Sequence, residues 1–444
     1  MAVPSPIDHL HTRAQAFTQP YGPPLPPTPS APERTITLVQ TYGPLELEYA
    51  AVRKSAALVD LAHRATIEIT GRDALAFLGR MITQELKGFA PMSVRRAFWL
   101  NRKGRIDADL RLLNLADRVL VDVDAHAAAR TATGLSAYVI TEDVAIVDAT
   151  DRFHRLALHG PLARQVLARF IDPALPDATA QRDALLALEP NQVLRVTIAG
   201  ASVLIDRADT AGEVGLELLV PTDAVERVYG VLLEAAHQPV DDVQRPNLRP
   251  SLRPIGWAAY NIARIEAGTP LYNVDFGPDA LPGETGVLND RVSFTKGCYL
   301  GQEVVARMHA LGSPKRVVVA LRLSDPALTQ PSVARAQGDA TADSAPPPVF
   351  ARCPEAGSPV YSRESIDAWR AQANASTTPA AAAPEPVGAI TSSTLAPMLA
   401  HAPIALASVK FKHATAGTEL LVDCDNALLP AKVQGELRFV TRTV

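Results

Sequence analysis

At 444 residues, 47% of them hydrophobic and 20% charged, the chain is long enough for about three soluble domains of ordinary composition. A formal net charge of -4 gives no long-range field, and nothing in the sequence suggests the basic stripe with which a nucleic-acid binder neutralises phosphates. Cys298, Cys353 and Cys424 are odd in number, far apart and without CxxC spacing, which argues against a disulfide framework and a self-contained zinc or cluster site and for a reducing compartment. The apolar runs fall short of the roughly 20 residues that a membrane-crossing helix needs. The N-terminus shows neither a secretory pattern nor the Arg-rich pattern of a transit peptide.

Residues 1–33 carry prolines at 4, 6, 20, 23, 24, 26, 27, 29 and 32, and read as a disordered Pro-rich tail. Beyond them, Thr66-Ile67-Glu68-Ile69 alternates like a half-buried strand. A turn at Gly71-Arg72-Asp73 leads into a helix expected to bury Leu75, Leu78 and Ile82, with Phe77 and Met81 beside them. Arg96–Leu113 predicts two strands joined by a turn at Asn101-Arg102-Lys103-Gly104. Val119–Val123 predicts another strand, followed by an Ala-rich helix over about 124–138. Pro161 opens a helix over 162–170. Strands at 193–198, 203–206 and 214–220 precede a helix over 223–235. This mixture is α+β with antiparallel sheets. After Arg316 the pattern changes to short strands, which predicts a C-terminal β-barrel over 316–444. Low-complexity insertions interrupt it at about 325–349 and 371–386, too poor in large apolar residues to offset the entropy of ordering.

The run Lys296-Gly297-Cys298-Tyr299-Leu300-Gly301-Gln302-Glu303 carries the chemistry. Two glycines bracket Cys298, and good helix formers follow from Gln302. A helix starting there places the thiol before its positive end and beside the Lys296 ammonium, and both would favour a thiolate. On spacing alone, a small buried apolar role for Cys298 stands as the alternative.

KGCYLGQEVVAR closely resembles the signature of YgfZ-type proteins and their mitochondrial relatives, the iron–sulfur cluster assembly factors. ITGRDALAFL, LHGPLARQVL, GEVGLELLVP and ARIEAGTPLYNVDFG resemble the wider family that includes the glycine cleavage T-protein, an aminomethyltransferase. The resemblance spans about residues 40–435 and implies a three-lobed, folate-binding aminomethyltransferase-like region over 34–315 in two α+β lobes, closed by the C-terminal β-barrel. It implies that Glu217 accepts hydrogen bonds from a tetrahydrofolate pterin, that Arg264 belongs to the same site, and that Asp109 is a remnant of the catalytic acid. Two positions depart from the family. Tyr260 replaces an arginine implicated in substrate binding, and Thr210 replaces a tyrosine.

The function so implied is a folate-binding accessory protein for iron–sulfur cluster assembly or repair. Cys298, with Lys296 as its catalytic neighbour, supplies one ligand of a transient [2Fe–2S] cluster shared with a scaffold or carrier protein. Gly297, Tyr299, Gly301, Gln302 and Glu303 form the motif around it. A cluster needs about four ligands, so one thiol cannot hold it alone. The alternative is a tetrahydrofolate-dependent aminomethyl transferase using Asp109 and Glu217. The expected compartment is a bacterial cytoplasm, with the mitochondrial matrix as the alternative, and neither membrane nor nucleic acid is an expected partner.

Overall fold

A computed structural model describes residues 2–3, 5–25, 34–234, 252–324, 352–375, 384–425 and 427–440. They divide into two compact units. The first comprises Met1–Arg264, Gly277–Pro282 and Val287–Ala310; the second comprises Ile265–Phe276, Gly283–Gly286 and Leu311–Val444.

The first unit opens with β1 (Ala2–Val3), α1 (Asp8–Arg13), β2 (Phe17–Leu25) and β3 (Arg34–Thr41), whose strands form a sheet in the order β1-β3-β2. This corrects the reading of residues 1–33 as a disordered tail, at least for residues 5–25. The prolines of β2 lie on an edge strand, where proline is tolerated. Tyr21 is buried and donates to Asp124 Oδ2 at 2.7 Å, and His11 Nε2 lies 2.8 Å from the buried Asp60 carboxylate. These contacts anchor the segment.

Next come α2 (Leu45–Lys54), β4 (Ala56–Asp60), β5 (Arg64–Thr70), α3 (Ala74–Met81), β6 (Ser93–Leu100), β7 (Ile106–Asn114), β8 (Arg118–Asp124), α4 (Ala125–Ser136) and β9 (Ala145–Asp148). Strands β6-β7-β8-β5-β9 make an antiparallel sheet. Helix α3 buries Ala74, Phe77, Leu78 and Met81, so its apolar stripe centres on Phe77 and Leu78, with Leu75 only half-buried.

The chain continues through β10 (Phe153–His159), α5 (Ala163–Ala168), α6 (Ala178–Leu186), β11 (Val193–Ile198), β12 (Ala201–Arg207), β13 (Gly215–Pro221), α7 (Val225–Glu234) and β14 (Leu252–Pro254). A six-stranded sheet runs β11-β12-β13-β10-β4-β14. Its core packs β10, β12 and β13 against α5, α6 and α7. Val94, Leu113 and Leu120 of the first sheet meet Val193, Leu204 and Leu219 of the second, which sets the two sheets against each other. Then follow α8 (Trp257–Glu266), α9 (Leu288–Arg291) and α10 (Gln302–Leu311).

In the second unit, β15 (Arg316–Leu323), β16 (Pro359–Ser362), α11 (Arg363–Ala375), β17 (Gly388–Ala396), β18 (Ala402–Lys410), β19 (Glu419–Cys424) and β20 (Ala427–Val433) build the expected barrel. It closes in the order β15-β18-β17-β16-β19-β20, around Leu321, Val360, Ala407 and Val422. Of the two expected insertions, 325–349 and residues 376–383 of the second lie outside the described residues, while 371–375 belong to α11.

Candidate functional site

The two facing sheets of the first unit enclose a layer of charge. Register places Arg111 of β7 opposite Asp122 of β8, and Asp206 of β12 opposite Glu217 of β13. Two carboxylates side by side repel, and the guanidiniums of Arg111 and Arg155 offset this. Glu217 Oε2 lies 2.5 Å from Arg111 Nη1 and 3.1 Å from Arg155 Nη1. Arg111 also contacts Asp206, and Arg155 Nε lies 3.2 Å from Asp122 Oδ1. Arg64 donates to both oxygens of Asp122, at 3.0 and 2.8 Å, the fork-to-fork geometry that suits arginine. Burial alone would raise the Glu217 carboxyl, but Arg111 and Arg155 hold it well below the usual carboxylate range. Its second oxygen, Oε1, makes no hydrogen bond among the described residues.

Asp109 lies on β7 two residues from Arg111, opposite Phe98. Arg291 of α9 donates to it, Nε to Oδ1 at 3.0 Å and Nη2 to Oδ2 at 3.5 Å. Arg264 is fully buried on α8 and bonds Asn261 Oδ1 through Nε at 2.8 Å. The two departures from the family meet: Tyr260 Oη donates to Thr210 Oγ1 at 3.2 Å. Burial pushes the Tyr260 phenol up; Glu217 acts through space in the same sense and Arg264 against it. Arg96 in turn feels both Asp109 and Glu217. Among the described residues, Arg264 and Asp109 are thus each linked to Glu217 only through an intermediate side chain, Tyr260 and Arg96 respectively. A cavity of about 700 Å³, with Arg64, His126, Phe153 and His154 among its lining, borders none of the three.

Sequence reasoning missed Arg111, Arg155, His63 and His159. A row of rings runs Tyr21, His63, Trp257, Tyr260, His159, with centroids 4.9 to 5.7 Å apart. His63 and His159 are buried with Nδ1 unpartnered, and burial pushes both imidazoles down to about 4. Only His159, inside the LHGP motif, carried a sequence signal.

Cys298 is exposed, on the loop leading into α10. Lys296 departs from expectation. It is buried, and its ammonium donates to the carbonyls of Gly79, Ile82 and Gln84 at 2.7, 2.6 and 3.1 Å. Together with Leu300 N–H on Arg80 O at 3.3 Å, it caps the C-terminal end of α3, where the helix dipole favours a cation. Burial pushes the Lys296 ammonium down to about 8. Those three carbonyls take the charge that the sequence assigned to activating Cys298.

The other motif residues are structural or exposed. Tyr299 is buried and its N–H donates to Gln302 Oε1 at 3.3 Å. Gly301 has φ +79°, and a Cβ there would come within 2.7 Å of Asn101 O. Gly297 has nothing near its absent side chain, and Glu303 pairs with Arg307 on the exposed face of α10. No cluster of three or more His, Cys, Asp or Glu among the described residues is arranged to hold a metal ion.

The chain is 28% identical over 272 residues to an aminomethyltransferase of Caldanaerobacter subterraneus subsp. tengcongensis, covering 61% of this chain and 67% of the relative. It is 26% identical to that of Desulfitobacterium hafniense, over 63% of this chain and 71% of the relative. The fold is that of the glycine cleavage system aminomethyltransferase T from Bartonella henselae, with a TM-score of 0.71 at 20% identity over 98% of this chain and 97% of that one. The sequence model described as the GCVT N-terminal domain matches residues 32–296, more than half of the chain, and the protein belongs to that family.

Proposed function

We propose that this protein is a folate-binding accessory factor of the YgfZ type, in which Cys298 acts with a partner protein in iron–sulfur cluster assembly or repair. The observation that carries the reading is a solvent-facing thiol on a loop pinned at both ends, by Lys296 to α3 and by Gly301 against Asn101. A single thiol ligates a cluster only together with donors from elsewhere, so the cluster is cargo passed to or from a scaffold or carrier. On the folate side, Glu217 Oε1 is the carboxylate oxygen left for a pterin N–H, with Oε2 held by two guanidiniums. When bound, tetrahydrofolate would supply one-carbon or redox chemistry of its own; this chain would hold its ring through Glu217. Among the described residues no helix is long and apolar enough to cross a membrane.

The competing reading is tetrahydrofolate-dependent aminomethyl transfer, supported by the names of the relatives and by the retained Asp109. Against it, Asp109 is neutralised by Arg291, and Tyr260, bonded to Thr210, stands where the family resemblance implies a cationic substrate anchor.

Titration with tetrahydrofolate tests the pocket: wild type should bind, and Glu217→Ala should bind at least ten-fold more weakly. Cys298→Ser should fold normally yet fail to restore iron–sulfur enzyme activity in cells lacking the protein. Full restoration by Cys298→Ser would refute the role of the thiol.

A further inference from the structure

Strands β6 and β7 present one face that carries Arg96, Phe98, Asp109 and Arg111, since residues two apart share a face and register sets Arg96 opposite Arg111. Like charges directly across a strand pair are destabilising. Arg111 is neutralised by Glu217 and Asp206, but Arg96 is not. Its guanidinium makes no hydrogen bond among the described residues, and its one ion contact is to Asp290 at 3.8 Å. Asp290 is 61% exposed and already engages Arg291. Arg96 itself is 23% exposed, and its nitrogens reach solvent with no protein acceptor among the described residues.

The wider layer has the same imbalance. Four guanidiniums, of Arg64, Arg96, Arg111 and Arg155, face three carboxylates, of Asp122, Asp206 and Glu217. Arg155 Nη2 is buried without an acceptor. Buried guanidiniums are costly unless paired, and a planar fork with vacant N–H groups matches a carboxylate in two-point contact.

The geometry points to Arg96 as the anchor of a carboxylate-bearing ligand seated against the β6–β7 face, beside Asp109. A carboxylate fits because its two oxygens match the planar fork of the guanidinium. The carboxylate belongs either to a separate small organic acid or to the glutamyl end of a folate. The anchor does not require folate binding, and only its second source rests on the function proposed above.

Thermal shift and calorimetric titration of the full chain separate these cases, with succinate, inorganic phosphate, tetrahydrofolate and 6-methyltetrahydropterin as probes. Arg96→Gln should keep or raise the melting temperature without ligand, because it removes a like-charge opposition and breaks no hydrogen bond. It should weaken succinate or tetrahydrofolate binding at least ten-fold, with Arg96→Lys intermediate. Dependence on Arg96 for succinate identifies a separate acid. Dependence for tetrahydrofolate, with 6-methyltetrahydropterin unaffected, identifies the glutamyl carboxylate. If Glu217→Ala leaves tetrahydrofolate binding intact while succinate still depends on Arg96, the pterin role fails and the anchor stands. The anchor is overturned if neither carboxylate depends on Arg96, if phosphate binds as tightly as succinate, or if Arg96→Gln lowers the melting temperature by several degrees.

Discussion

Replacing Lys296 by Met keeps the length of the apolar stem and removes only the ammonium. Three carbonyls then lose their donor: those of Gly79, Ile82 and Gln84. Charge-assisted hydrogen bonds contribute about 1.5–3 kcal/mol each, and the desolvation of a buried ammonium offsets part of the total. A net loss of about 3 kcal/mol is expected, since buried acceptors left without a donor carry their own penalty. Urea denaturation followed by tryptophan fluorescence reads it, because Trp99 and Trp257 both lie in the first unit. A second effect is local. With Lys296 released from α3, the loop holding Cys298 loses one of its two fixed ends, and hydrogen exchange over residues 295–301 should accelerate at least ten-fold. A variant less than about 1 kcal/mol weaker, with unchanged exchange, would show that the ammonium neither caps α3 nor positions the thiol.

The buried imidazoles of His63 and His159 predict an acid-sensitive first unit. In the unfolded chain a histidine takes its proton near 6.5, whereas these two stay neutral down to about 4. The unfolded state therefore binds more protons between those values, and stability rises with pH across that window, by about 3 kcal/mol per imidazole. A flat stability curve from pH 4 to 6.5 would refute their neutral burial. Cys298, exposed, should react with iodoacetamide faster than the half-buried Cys353 and the buried Cys424, as mass spectrometry of timed samples would report. Gly104→Ala should destabilise the protein by about 1 kcal/mol or more. Its φ is +69°, and an added Cβ would stand 2.7 Å from Val304 Cβ, so equal stability in urea would contradict the close packing of α10 on this turn.

The parts of the fold legible in the sequence were those where local pattern and tertiary demand agree. The turn at Asn101–Gly104 has its glycine at positive φ, and β6 and β7 flank it as the expected pair of strands. Strand β13 and helix α10 likewise lie where a strand over 214–220 and a helix from Gln302 were expected. The N-terminal segment was misread because a count of prolines does not distinguish a tail from an edge strand, and only the contacts of Tyr21 and His11 decide between them. The ionic layer was illegible for a related reason. Arg111, Arg155 and Asp206 are single charges in separate strands, each indistinguishable from a solvated strand residue until two sheets face each other. Lys296 shows the opposite error: nearness to Cys298 in the chain suggested a shared environment, and the side chain turns to α3 instead.

The β6–β7 hairpin connects the two features proposed to carry chemistry. Its turn receives the motif loop: Gly301 lies against Asn101, and Val304 lies against Gly104. Its strands carry Arg96, Asp109 and Arg111 into the ionic layer. Close packing transmits displacement, because neither glycine leaves room for even one methyl group. A ligand that drew Arg96 and Asp109 together would therefore act on the same short hairpin that seats the loop of Cys298. Lys296 and Leu300 fix the other side of that loop to α3, and Thr83, just beyond α3, donates its N–H back to Phe98 O on β6. Thiol loop, helix end and charged strand thus form a closed circuit of contacts within one unit, which is why the thiol can be exposed and yet held in place.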